Sequence, residues 1–243
     1  MAVDRLGLAG LELDDRRTAL YALSVLLGDV TPATASDPRA VWDVRNRSVT
    51  ATGPAEPGPD LEAEHHTDSA LVPLPERYFL LYSVHTPRCG GAVRFLRDGR
   101  ALTRRLEATA DGRAALATLA GVPLPVRVPK SLRASGHTDA DGYYLAPVLA
   151  GSRWRWRRDK IEAGLAARPE HDTASLRAAL GAVTRLLADP ADDHRRPIPD
   201  DGVLIVDNHV TLHGRTAFTD TDRHLLRVRF HDAGTPGLAP PAG

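Results

Sequence analysis

Cysteine is almost missing from these 243 residues. Cys89 stands alone, which excludes a disulfide or a thiolate metal cluster within one chain and points to a cytosolic redox setting. Net charge is missing too. Lysine plus arginine and aspartate plus glutamate both number 31, so there is no basic field of the kind that holds nucleic acid by its phosphates. No segment approaches the roughly 18 uninterrupted apolar residues of a membrane span. Residues 1–10 lack the cationic-then-apolar pattern of an export signal. The expectation is a soluble cytoplasmic chain whose partner is a small molecule, not nucleic acid or a membrane. Absent as well are His-Glu-x-x-His, a glycine-rich phosphate loop and a Gly-x-Ser-x-Gly elbow. Zinc hydrolysis is therefore a weak reading, and nucleotide or serine-hydrolase chemistry has no support.

What is present suits one domain with a substantial core. Residues 14–28 repeat leucines at helical spacing (Leu20, Leu23, Leu26 and Leu27) and end at Gly28. Two further helices are expected over 109–120 and 173–188, each opening on a threonine. Strands are expected over 78–84, 143–149, 153–157, 203–207 and 225–230. A Pro- and Gly-rich loop is expected across 37–60, apart from a short strand-like piece around Trp42, Asp43 and Val44, and a disordered tail over 232–243. Strands outnumber helices without regular alternation, which argues against a doubly wound sheet. The reading is α+β, mainly β: a β-sandwich or jelly roll with flanking helices, forming a single domain over 1–231.

Chemistry concentrates in two places. His66-Thr67-Asp68 puts an imidazole and a carboxylate two residues apart, and on an extended segment such side chains point the same way. With His213 they would make a two-histidine, one-carboxylate set that leaves open positions on an iron ion. His137-Thr138-Asp139 repeats the tripeptide, but its setting, SGHTDADGYY, reads as a hairpin turn. His65 would project opposite to His66, and His209 lies on an expected turn. Both are read as bystanders or supporting groups. The run 153–159 (RWRWRRD) alternates tryptophan with arginine; it suits either a pocket wall or a solvated edge strand with its indoles inward.

The second place is 201–230. An apolar strand ends in Asp207-Asn208, followed by Leu212-His213-Gly214-Arg215 and then Arg223 and Arg227 four apart. Upstream, His66 to Asp68 precede Pro73, Pro75, the apolar run 78–84 and Gly90-Gly91. Together these motifs resemble the clavaminate synthase-like and taurine dioxygenase-like oxygenases, over roughly residues 37–230. Asp68 lies nearly twice as far from His213 along the chain as Asp139 does, which matches the long insert of that family.

The resemblance implies a double-stranded β-helix and the cofactors Fe(II), 2-oxoglutarate and O2, with iron on His66, Asp68 and His213. It assigns Arg223 to the remote carboxylate of 2-oxoglutarate, for which a planar guanidinium is suited. Arg227 falls to an acidic group of the substrate. Residues 223, 225, 227 and 229 would share one strand face, with Leu226, Val228 and Phe230 opposite. The implied substrate is a small carboxylate-bearing, amino-acid-derived molecule, hydroxylated or desaturated in specialised metabolism under a lid near 127–170. Asp68 favours this over halogenation, where relatives carry a small residue. Val93 stands where several relatives have a threonine for 2-oxoglutarate. That departure leaves open a catalytically inactive jelly-roll metal or small-molecule binder.

Overall fold

The computed structural model describes residues 1–32, 40–45, 61–128 and 138–235. In chain order the strands and helices are β1 (Ala2–Val3), α1 (Leu13–Leu27), β2 (Asp29–Thr31), β3 (Trp42–Arg45), β4 (Ala63–His66), β5 (Tyr78–His85) and β6 (Arg94–Asp98). Then follow α2 (Gly99–Glu107), α3 (Ala110–Gly121), β7 (Leu124–Arg127), β8 (Tyr143–Ala146), β9 (Leu149–Ala150), β10 (Arg153–Trp154), α4 (Arg158–Ala167) and α5 (Ala174–Leu187). The chain closes through β11 (His194–Arg196), β12 (Val203–Asp207), β13 (Thr211–Arg215) and β14 (His224–His231).

The larger sheet has six strands in the order β1-β12-β5-β14-β2, with β3 also paired to β14. The smaller runs β11-β6-β13-β4. Their ladders are antiparallel, so the architecture is mixed helix and antiparallel sheet. Period-two alternation gives the larger sheet two apolar faces. Leu80, Tyr82, Leu226, Val228 and Phe230 pack outward under Leu20 of α1. Phe79, Leu81, Leu204, Val206 and Leu225 pack inward, where Leu96 of the smaller sheet meets them.

Helices α2 to α5 enclose a separate cluster that includes Leu102, Leu119, Leu165, Leu176, Trp154 and Trp156. The expected caps are made: Thr109 Oγ1 accepts from Gly112 N and Thr173 Oγ1 from Leu176 N. Two helices were not expected. α2 begins at Gly99, which reads as a breaker, yet a Cβ there would collide with the Trp154 indole. α4 buries only Ile161, Gly164 and Leu165, too sparse an apolar pattern among its charges.

The strand expected over 153–157 stops at Trp154, because Arg155 N turns to Val148 O and Trp156 N to Thr67 Oγ1. The one expected over 143–149 divides around Pro147 into β8 and β9. Asp232 and Thr235, read as the start of a disordered tail, are tied to the body: Arg77 donates to Asp232 Oδ2, and Asp29 Oδ2 accepts from Thr235 N. Residues 236–243, and residues 37–39 and 46–60 of the loop expected over 37–60, lie outside the described residues; the strand-like piece between them is β3. Among those described, no helix is long and apolar enough to cross a membrane.

Candidate metal centre

His66 ends β4 and faces His213 directly across the β4–β13 ladder. Paired residues on neighbouring strands project from the same face, and the two rings lie 4.5 Å apart. Asp68 follows two residues later, with Oδ1 3.7 Å from His66 Nε2 and Oδ2 3.4 Å from His213 Nε2. One donor atom from each of the three lies within 4.8 Å of the others. His66 Nδ1 donates to Glu64 O at 2.8 Å, which leaves its Nε2 lone pair toward the centre.

The electrostatics fit a divalent cation. Burial, reinforced by His213, pushes the His66 pKa down to about 3, so its imidazole is neutral. Burial opposes charge on Asp68, yet the Arg227 guanidinium, then His213 and His66, hold its carboxyl well below the usual range. Neutral imidazole and ionised carboxylate are the protonation states that bind metal. Two nitrogens and one oxygen form the donor set that suits non-haem iron with open positions.

The segment carrying Asp68 is held from two remote elements. The side chain of Thr67 points away from the centre: Thr67 N donates to Trp156 O at 2.7 Å and Trp156 N to Thr67 Oγ1 at 3.0 Å. Asn208, 2% exposed, accepts from Asp68 N at 2.7 Å and donates to Asp68 O at 3.1 Å and Glu76 O at 2.9 Å. The Asp-Asn pair was visible as a motif. The function of its asparagine as a brace was not, and nothing in the sequence pairs Thr67 with Trp156.

Arg227 projects from the inner face of β14 onto Asp68, with its guanidinium 5.0 Å from the Phe79 ring and 5.8 Å from that of Trp42. Arg223 precedes the strand. It is buried, with its guanidinium 4.9 Å from the Phe218 ring, on which Arg215 also lies. Pairing with β5 shifts between His224 and Leu225 with the extra residue on β5, while β14 pairs with β3 in regular register there, so β14 keeps its own alternation up to the residue that follows Arg223.

The remaining candidates fall outside the centre. His65 Nε2 meets Asp193 Oδ1 at 2.8 Å, and His209 Nε2 donates to Pro75 O at 2.9 Å. Asp139 makes the expected turn by accepting from Asp141 N and Tyr143 N, while His137 lies outside the described residues. Val93 N donates to Thr216 Oγ1. In the 153–159 run, Trp154 and Trp156 face the helical core, and Arg155 is buried with them rather than solvated.

Residues 8–229 match the model of the taurine catabolism dioxygenase TauD, TfdA family. Solved structures share the fold. The non-heme iron oxygenase OrfP in complex with Fe and alpha-ketoglutaric acid aligns with a TM-score of 0.64 and 21% identity, over 89% of this chain and 64% of that one. Asparagine oxygenase in complex with Fe(II), 3-hydroxyasparagine and succinate aligns with a TM-score of 0.67 and 23% identity, over 88% and 63%. OrfP with Fe, succinate and (3S)-hydroxy-L-Arg gives 0.65 and 20%, over 89% and 66%. The chain thus spans just under two thirds of the length of these structures. No curated protein sequence matches it.

Proposed function

The chain belongs to the taurine catabolism dioxygenase TauD, TfdA family, and from that premise we propose that it is a non-haem iron(II), 2-oxoglutarate-dependent oxygenase acting on a small amino-acid-derived carboxylate. The observation that carries this reading is the convergence of His66, Asp68 and His213 within 4.8 Å. In this reading the three hold the metal. When bound, iron(II) and 2-oxoglutarate supply dioxygen activation, coupled to oxidative decarboxylation to succinate.

The chain's own residues do the rest. The two imidazoles and the Asp68 carboxylate would hold the ion through three donors, a set that leaves coordination positions for cosubstrate and oxygen. Arg227, beside Asp68 and backed by Phe79, presents a guanidinium where a substrate carboxylate would be held and oriented. Arg223 takes the remote carboxylate of 2-oxoglutarate. Phe79, 4.6 Å from the His213 ring, helps exclude water on the inner side. The scaffold is a single jelly-roll domain over 1–231; of the lid expected near 127–170, residues 129–137 lie outside the described residues, and the part around Val148, Trp154, Trp156 and Leu165 is core of that scaffold. An intact Asp68 favours hydroxylation over halogenation, and amino-acid products bound to structural relatives support a substrate of that class. Specialised metabolism in the cytoplasm is the setting this chemistry suits.

Anaerobic titration of the metal-free protein with iron(II) and 2-oxoglutarate tests the reading through the visible charge-transfer band of the chelate. Wild type should develop the band, His213→Ala should not, and amino-acid substrates should then trigger succinate release in air. A folded wild type with no band would sink the proposal. A band without succinate release from any amino acid would favour the inactive binder that Val93 suggests.

A further inference from the structure

Arg155 interrupts a run of core residues. Its neighbours Trp154 and Trp156 are almost fully buried in the helical cluster, and Arg155 itself is only 6% exposed. Burying a guanidinium is costly unless its donors are satisfied. Here both Nη groups bond one short stretch of backbone: Nη1 donates to Ala70 O at 3.2 Å and Val72 O at 2.6 Å, and Nη2 donates to Pro73 O. The guanidinium also lies 5.4 Å from the Tyr144 ring. No carboxylate pairs with it among the described residues. Burial lowers its pKa to about 10, so it stays charged at neutral pH.

The stretch it gathers begins at Ala70, one residue beyond the Ser69 that follows Asp68. Ser69 has φ 51°, the left-handed region that a side chain rarely adopts without support from its surroundings. Ahead of this turn, Asn208 bonds both backbone groups of Asp68. Behind it stands Arg155, fixed by its own N–H to Val148 O and by the two bonds between Trp156 and Thr67. A planar guanidinium holds its donors in a rigid fork, which an ammonium on a flexible stem does not.

We propose that Arg155 is a positioning residue for the metal centre: by gathering the carbonyls of Ala70, Val72 and Pro73 it fixes the turn at Ser69, and with it the aim of the Asp68 carboxylate toward His213. This rests on the reading of Asp68 as a metal ligand. It gives the arginine-tryptophan run a purpose beyond walling the cavity that Arg155 and Arg157 line.

The test is anaerobic iron(II) affinity of the full chain in wild type, Arg155→Met, Arg155→Lys, Asp68→Ala and Leu119→Ala, a truncation in the same helical core. Hydrogen exchange of the 66–76 backbone in the metal-free proteins is followed alongside. Arg155→Met should bind iron ten- to a hundredfold more weakly, the usual range for groups that orient a ligand, and should exchange faster at residues 69–72. Arg155→Lys should fall between, and should stand in if the methionine variant does not fold. Leu119→Ala should lose stability but keep its affinity within about twofold of wild type, a bound well inside the expected loss. Unchanged affinity in a folded Arg155 variant, or an equal loss in Leu119→Ala, overturns the positioning role. If Asp68→Ala binds iron as well as wild type, the ligand reading itself has failed and this proposal falls with it.

Discussion

Replacing Asn208 by alanine removes one side chain and three hydrogen bonds, each to backbone that has no other described partner. The amide accepts from Asp68 N and donates to the carbonyls of Asp68 and Glu76, and only 2% of the residue is exposed. Leaving a buried polar group unmatched costs about 1–3 kcal/mol. Water can enter the space vacated, so the lower end applies and the three together come to about 3 kcal/mol. For a chain of this length that lowers Tm by about 6–12 °C. Asn208→Asp keeps the acceptor for Asp68 N but sets an oxygen against two carbonyls, so it should recover only part of the loss. Urea unfolding of the metal-free protein, followed by tryptophan fluorescence, measures both variants. A loss below about 1 kcal/mol in Asn208→Ala, with an unchanged denaturant slope, would show that this bracing does not hold the segment.

Gly214, between His213 and Arg215, has no room for a side chain: a Cβ would run into the Phe95 ring and Ala63 O. Gly214→Ala should cost more than about 3 kcal/mol or leave the chain insoluble, and a thermal melt within a few degrees of wild type would contradict this. Asp201 accepts from Gly7 N, Leu8 N and the Tyr82 hydroxyl. Burial opposes its charge, but these donors hold its carboxyl below the usual range. A depressed folded pKa stabilises above the unfolded value, about 4, and the contribution fades as pH falls through the folded value. The stability gap between wild type and Asp201→Asn should thus be full at pH 7 and narrow below pH of about 4; a gap constant from pH 7 to 3 would refute the linkage.

Elements with a clean repeat and a marked end were legible in the sequence. α1, α3 and α5 combine helical spacing with a cap or a terminal glycine, and β5, β12 and β14 are apolar runs that lie central or near-central in the larger sheet. β6 and β13 were not legible as strands, because RFLRD and TLHGR place arginines among their core residues. Those arginines are accommodated individually: Arg97 on Asp193 and two carbonyls, Arg215 on Leu61 O. No pattern of apolar residues encodes such partners. The three candidate ligands were found because the tripeptide and the Leu-His-Gly-Arg motif are local. What holds them was not found, since Thr67, Arg155, Trp156 and Asn208 meet only through contacts between residues far apart in the chain.

Those distant contacts also explain why the candidate centre is built across two sheets rather than within one. His66 and His213 come from the smaller sheet, while Arg227 and Phe79 come from the larger. Phe79 touches both sides, with its ring 4.6 Å from His213 and 5.0 Å from the Arg227 guanidinium. Beside the direct pair between Arg227 and Asp68, this apolar side chain packs between the donors that would hold a metal and the cation that would hold a substrate. A close-packed interior transmits a change of even one methylene. Phe79→Ala should therefore loosen the packing between the two sheets at the candidate centre, and an iron(II) affinity and a melting temperature both equal to wild type would refute this.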